Sequence, residues 1–173
     1  MLQGECVRLG EIVQIQKGKQ INSECLSRLG SYYVMNGGIS PSGYYSQFNT
    51  KANTISISEG GNSCGYVQFN DEPYWSGGHC YSLLFPSPKV DYRFLYHTLK
   101  YRQEDIMALR IGSGLPNIQK KDIEKFPIMI PSLDEQKRFV SFFDALSSLL
   151  NMIERIRINY ETQKKYLIHN LFI

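Results

Sequence analysis

The chain has 173 residues, 42% of them hydrophobic, and a formal charge of +3. That is enough apolar material for one packed domain plus an extension, and it excludes a disordered chain. Mean hydropathy is −0.30 and the pI about 8.6; no apolar run approaches the roughly 20 residues that cross a bilayer, and the mild basicity permits a polyanionic partner without demanding one.

Val7 to Ile15 is a short apolar segment around Gly10, closed by the polar turn Gln16-Lys17-Gly18-Lys19-Gln20. Tyr32 to Met35 reads as a strand running into the turn Asn36-Gly37-Gly38. Ser40 to Tyr45 is expected to be a loop with exposed tyrosines. Thr54-Ile55-Ser56-Ile57-Ser58 alternates and is β-branched, which predicts a strand. The glycine-rich turn Glu59 to Ser63 follows, and Cys64 to Phe69 completes a hairpin. Another strand, Cys80 to Phe85, comes after Gly77-Gly78. Beyond Pro86 and Pro88, Asp91 is placed to cap a helix over Tyr92–Met107 that turns Phe94, Leu95, Leu99 and Ile106 inward. Arg110 to Ile118 is a loop, Lys120 to Glu124 a helical turn, and Phe126 to Ile130 a buried edge strand whose Pro127 cannot donate to a ladder.

Pro131-Ser132-Leu133-Asp134-Glu135 opens a long helix. Ser132 and Glu135 form the S-x-x-E capping box. Neither Gly nor Pro interrupts the chain from Leu133 to Ile173. Along this helix Phe139, Phe142, Leu146, Leu149, Ile153, Ile156, Tyr160, Gln163 and Leu167 recur at alternating steps of three and four. That is the a/d seam of a coiled coil, and it demands a second helix as partner. The polar Gln163 is placed to help set register. The expected architecture is therefore α+β: a globular domain of mixed strands and short helices over 1–131, then a coiled-coil dimerisation and spacer helix over 132–173.

Cys6, Cys25, Cys64 and Cys80 include no C-x-x-C pair, and His79 beside Cys80 lacks a second half-site, so reduced thiols and no metal are expected. Met1 to Glu5 lacks the basic and then apolar stretches of a secretion signal, which points to the cytoplasm. Glu135-Gln136-Lys137 has one nuclease class's E-x-K spacing, but the glutamate caps a helix and no Pro-Asp strand precedes it. Gly60 to Gly65 lacks the lysine of a phosphate-binding loop and sits between strands. No adenine methyltransferase motif is present, and His79, His97 and His169 are too scattered to make a triad. The expectation is a chain without catalysis or cofactor.

Several loops combine amides, hydroxyls, aromatics and glycines: Lys17 to Gln20, Asn36 to Tyr45, Gly60 to Ser63, Tyr74 to Ser76 and Arg110 to Asn117. Lysine and arginine anchor on phosphates, while Asn, Gln, Ser, Arg and Lys read base edges. Seven basic residues against four acidic ones lie between Arg93 and Lys125. On loop composition alone an ordinary solvated surface is the better account, and composition does not separate a DNA reader from a protein-binding surface.

The order of the motifs is more specific. Val7-Arg8-Leu9-Gly10-Glu11-Ile12 with Lys17-Gly18, then Ile57 to Gly61 with Gly65-Tyr66-Val67, then Gly112 to Ile118, then Phe126 to Pro131 with Glu135-Gln136, and last Lys164-Lys165 with Leu171-Phe172 together resemble the specificity subunit of type I restriction–modification systems. The resemblance covers nearly the whole length. It implies a target recognition domain reading one half of a split double-stranded DNA site, and a long helix that packs on a second one and sets the distance between half-sites. Such subunits are non-catalytic and dock methyltransferase and restriction subunits. Most members carry two recognition domains and two long helices in one chain, and here there is one of each. A homodimer with antiparallel helices or complementation by another half would complete the pair. On this reading the candidate DNA contacts are Lys17, Lys19, Gln20, Asn62, Ser63, Tyr74, Arg110, Ser113 and Asn117. A rival is a protein-interaction adaptor that presents Tyr44, Tyr45, Tyr74 and Trp75 as a patch and dimerises through the helix. A second rival is the recognition part of a fused restriction–modification enzyme.

Overall fold

The computed structural model describes residues 4–112 and 114–171. Contacts divide the chain into two units, one ending at Gln136 and the other starting at Lys137.

The first unit holds three small sheets. Strand β1 (Glu5–Arg8) pairs antiparallel with β9 (Pro127–Ile130), register Glu5 opposite Ile130. Between these partners in sequence, a four-stranded antiparallel sheet runs in the order β2 (Gln14–Lys17), β8 (Cys80–Leu84), β5 (Thr54–Ser58), β6 (Val67–Asn70). A three-stranded sheet is ordered β4 (Gly43–Tyr45), β3 (Tyr32–Met35), β7 (Trp75–Ser76), with β3 and β7 parallel. Short helices α1 (Leu9–Ile12), α2 (Tyr92–Tyr101), α3 (Gln103–Met107) and α4 (Lys120–Glu124) complete the unit.

The strand over Thr54–Ser58 shows why this packing holds. All five of its residues are buried. Ile55 and Ile57 join Ile15, Val67 and Leu83 of the neighbouring strands, and Leu95, Leu99, Ile106 and Ile123 of the helices, in the main core. The serines of the other face do not meet solvent. Ser56 accepts a hydrogen bond from Asn70 Nδ2 at 2.9 Å, and the Ser58 hydroxyl donates to Gly37 O at 2.6 Å. Period-two alternation thus marks a strand covered on both sides, by helices on its apolar face and by the three-stranded sheet on its polar one.

Four expectations change. The helix over 92–107 is broken at Arg102 (φ −94°, ψ 21°) into α2 and α3. The Arg102 guanidinium lies 4.3 Å from the Phe126 ring centroid and donates to Pro127 O, so tertiary contacts set the break. Ser40 to Tyr45 is not all loop: Gly43–Tyr45 is strand β4, held by Tyr32 and Tyr33 opposite Tyr45 and Tyr44. The second hairpin strand begins at Val67 because Cys64 to Tyr66 turn, with Gly65 at φ +89° and no room for a Cβ against Met107. The strand after Pro127 is only half-buried, with Ile128 inside and Met129 46% exposed.

Asp91 Oδ1 accepts from Arg93 N at 2.9 Å and Phe94 N at 3.1 Å, as its cap position predicts. Asp91→Ala is expected to cost about 1 kcal/mol, read as a lower midpoint in a denaturant titration.

Cys6 and Cys25 are exposed; Cys64 and Cys80 are buried. Burial pushes the Cys64 thiol up and the Cys80 thiol up to about 11. Only the thiolate alkylates. Iodoacetamide at neutral pH is therefore expected to modify Cys6 and Cys25 in the folded chain and all four cysteines after denaturation, with peptide mass spectrometry as the readout.

The second unit is the body of helix α5 (Leu133–Leu171), whose first turn belongs to the first unit. Its 39 residues correspond to roughly 58 Å at 1.5 Å per residue. Ser132 N–H donates to Glu135 Oε2 at 3.1 Å and Glu135 N–H to Ser132 Oγ at 3.4 Å, so the capping box is formed. Gln136 is the buried residue of this helix. Of the seam positions, Phe142, Leu146, Leu149, Ile153, Ile156, Tyr160 and Leu167 are between 40% and 68% exposed. Phe139 is half-buried and packs against Phe143, with 4.4 Å between ring centroids and the rings tilted by 33°. Tyr160, Gln163, Lys164, Leu167, Ile168 and Leu171 line a groove of about 320 Å³.

Candidate nucleic-acid interface

The loops singled out by composition meet at one place in the first unit. The end of β2 is fastened to the start of β8 by Gly18 N–H donating to Cys80 O at 2.8 Å, and Lys19 N–H donates to Ser76 O at 2.9 Å. A Cβ on Gly18 would stand 2.2 Å from Gly77 O, so this approach requires glycine. Glu59 N–H donates to His79 O at 3.0 Å, tying the end of β5 to the same corner. The turn after it reaches the last loop: Gly61 N–H donates to Pro116 O at 3.0 Å and Ile118 N–H to Glu59 O at 2.8 Å. Ile111 and Asn117 close that loop on themselves with hydrogen bonds of 2.8 and 3.0 Å.

Lys17, Lys19, Gln20, Asn62, Ser63, Arg110 and Asn117 therefore ride on segments joined by backbone hydrogen bonds. Lys17, Lys19, Gln20, Asn62, Arg110 and Asn117 are exposed and Ser63 is half-buried. Ser113 lies outside the described residues. Tyr74 does not belong with them. It is fully buried, stacked on Tyr33 at 5.5 Å, with its hydroxyl 3.0 Å from Ser82 Oγ. Its neighbours Pro73 and Trp75 suggested an exposed aromatic loop, but Tyr74 alternates inward and fills the space between two sheets. Burial pushes its phenol well above the ordinary tyrosine range. Tyr74 therefore drops out of the four-residue aromatic patch, while Tyr44 is 39% exposed, Tyr45 packs edge-on against a half-buried Trp75, and Trp75 Nε1 donates to Lys19 O at 2.9 Å.

Beneath these loops lies a group that sequence reading passed over as part of a turn. Glu59 is 4% exposed. Its Oε1 accepts from Lys17 Nζ at 2.6 Å and from the Tyr81 hydroxyl at 2.8 Å. Burial, with the negative charge of Glu59 beside it, pushes the Tyr81 phenol well above its ordinary value. Among the described residues no group of three or more His, Cys, Asp or Glu side chains is placed to hold a metal. The arrangement offers a base or phosphate a rim of cationic, amide and hydroxyl donors on a backbone cross-linked from below.

The sequence model of the type I restriction modification DNA specificity domain matches residues 3–162. The chain belongs to this family. A putative type I specificity subunit of Mycoplasma pneumoniae is 37% identical over 169 residues, which span 95% of this chain and 44% of the relative. One from Mycoplasma genitalium is 33% identical over 95% of this chain and 43% of its own length. The crystal structure of a type I restriction–modification S subunit from M. genitalium matches with a TM-score of 0.83 at 31% identity, over 99% of this chain and 46% of that one. The HsdS subunit of Thermoanaerobacter tengcongensis shares the fold, with a TM-score of 0.66 at 21% identity over 88% of this chain and 39% of its own. This specificity domain thus spans less than half the length of these relatives, and its strands, short helices and long helix are those of S subunits.

Proposed function

We propose that the chain is the non-catalytic DNA-reading subunit of a type I restriction–modification complex, acting in the cytoplasm and recognising one half of a bipartite site. The observation that carries this reading is the gathering of Lys17, Lys19, Gln20, Asn62, Ser63, Arg110 and Asn117 on cross-linked loops in a chain of the DNA specificity family. Residues 1–131 are the recognition domain. Residues 132–173 form the spacer, which mates with the same helix of a second copy through Phe139, Phe142, Leu146, Leu149, Ile153, Ile156, Tyr160, Gln163 and Leu167. The exposed apolar side chains along α5 support that pairing. Two heads on antiparallel helices read an inverted, symmetric pair of half-sites, and the assembled dimer docks methyltransferase and restriction subunits.

Binding to a mixed-sequence duplex is expected to weaken linearly on a log–log plot as salt rises, because phosphate contacts release counterions. Lys19→Gln should flatten that slope by about 0.9 and weaken binding to all sequences alike. An adaptor that binds protein would show no salt-linked duplex binding at all, and that result would retire the DNA reading.

A further inference from the structure

A buried carboxylate under a surface that meets phosphates is electrostatically costly, so the Glu59 side chain needs a reason. Its Oε2 is buried with no hydrogen-bond partner, and the His79 ring nitrogen Nδ1 stands 3.8 Å away. Its Oε1 accepts from Lys17 Nζ at 2.6 Å, a short charge-assisted contact. The Lys17 side chain remains 53% exposed while that of Glu59 is 5% exposed. The lysine therefore reaches the surface already neutralised from below. Leaving Glu59 for a phosphate would strand a desolvated carboxylate, which is strongly unfavourable. Two of the three N–H donors of the ammonium remain. Neutral acceptors such as guanine O6 and N7 can take them without breaking the pair. Among the described residues Lys19 forms no ion pair and keeps its full charge for phosphate.

We infer that Glu59 is a specificity-determining, positioning residue: it withdraws Lys17 from sequence-independent phosphate binding and presents its ammonium to base-edge acceptors. The inference rests on the DNA reading above and reverses the plain expectation that Lys17 is a phosphate anchor.

The salt dependence of binding to a mixed-sequence duplex tests it, using the full chain. Glu59→Gln frees Lys17 and should steepen the slope by about 0.9, so that this variant loses about 3.5-fold more affinity than wild type between 50 and 200 mM salt. The double variant Lys17→Gln/Glu59→Gln removes one charge of each sign and should reproduce the wild-type slope. Circular dichroism melting establishes that each variant is folded. If Glu59→Gln does not fold, the double variant decides alone. A double variant flatter than wild type by about 0.9 would show that Lys17 is an ordinary phosphate anchor, and a folded Glu59→Gln with an unchanged slope would show that the carboxylate restrains nothing. Either result overturns the inference and leaves DNA binding standing. Duplex binding by the wild-type chain without salt dependence would remove the DNA reading itself, and this inference with it.

Discussion

Ile153→Asp and Ile156→Asp are each expected to convert the chain from dimer to monomer in analytical ultracentrifugation. Both side chains sit on the heptad seam, 54% and 47% exposed in the single chain. In a paired helix they become knobs packed into the holes of the partner. An aspartate there must be buried against apolar side chains without a counter-charge, at a cost of several kcal/mol that is incurred once in each strand. At 1.4 kcal/mol per factor of ten, that weakens association by several orders of magnitude. Arg155→Asp, one position off the seam, is the control and should sediment as wild type does. An Ile153→Asp chain that still sediments as a dimer would place the association surface elsewhere.

Gln136→Leu is expected to give the largest loss of stability among single substitutions in the first helical turn. The Gln136 side chain is fully buried and every strong bond it makes is to backbone. Its Nε2 donates to Lys89 O at 3.0 Å and to Pro131 O at 2.9 Å, and its Oε1 accepts from Asp91 N–H at 2.7 Å. One amide thus clamps the segment that caps α2 to the segment that opens α5. Leucine matches the volume and supplies none of these bonds. It leaves the half-buried Asp91 N–H and the Lys89 and Pro131 carbonyls without their partner, at about 1 kcal/mol each, for a total of about 3 kcal/mol. For a chain of this size the midpoint of thermal unfolding should drop by about 6–12 °C. Gln136→Glu should be no better, because a carboxylate cannot donate to either carbonyl. A melt within a degree or two of wild type would show that water replaces the amide at little cost.

Legibility in the sequence followed the range of the interactions. The strands at Tyr32 and Thr54, the turn of helix at Lys120, the Asp91 cap and the Ser132–Glu135 box are set by neighbours a few residues apart, and their residues declare them. The break at Arg102 was not legible: no Gly or Pro stands there, and its cause is a guanidinium reaching Pro127, 25 residues onward. Tyr74 was misplaced for a related reason. A tyrosine between Pro73 and Trp75 has the local look of a loop, and its burial comes from residues distant in sequence: Tyr33 stacked on it from the neighbouring strand and Ser82 of the four-stranded sheet at its hydroxyl. Lys17, Lys19, Gln20 and Asn117, candidates by residue chemistry, lie on loops joined by backbone hydrogen bonds. Glu59 was missed because its meaning comes from Lys17, 42 residues away. Glu59 directly follows the strand Thr54–Ser58 and opens a glycine-rich turn, so its neighbours in sequence give no sign that it is buried. The helix itself, Leu133–Leu171, was legible because no Gly or Pro interrupts it and its cap is local.

Co-expressing the chain with the methyltransferase subunit of its own host in a strain without other adenine methylation, and sequencing the modified bases genome-wide, tests the central claim most directly. The expected result is chain-dependent methylation at a bipartite motif whose two halves are inverted repeats separated by a fixed gap, lost on Ile153→Asp. Methylation at an undivided motif, or none that depends on the chain, would contradict a paired DNA-reading head held at a set spacing.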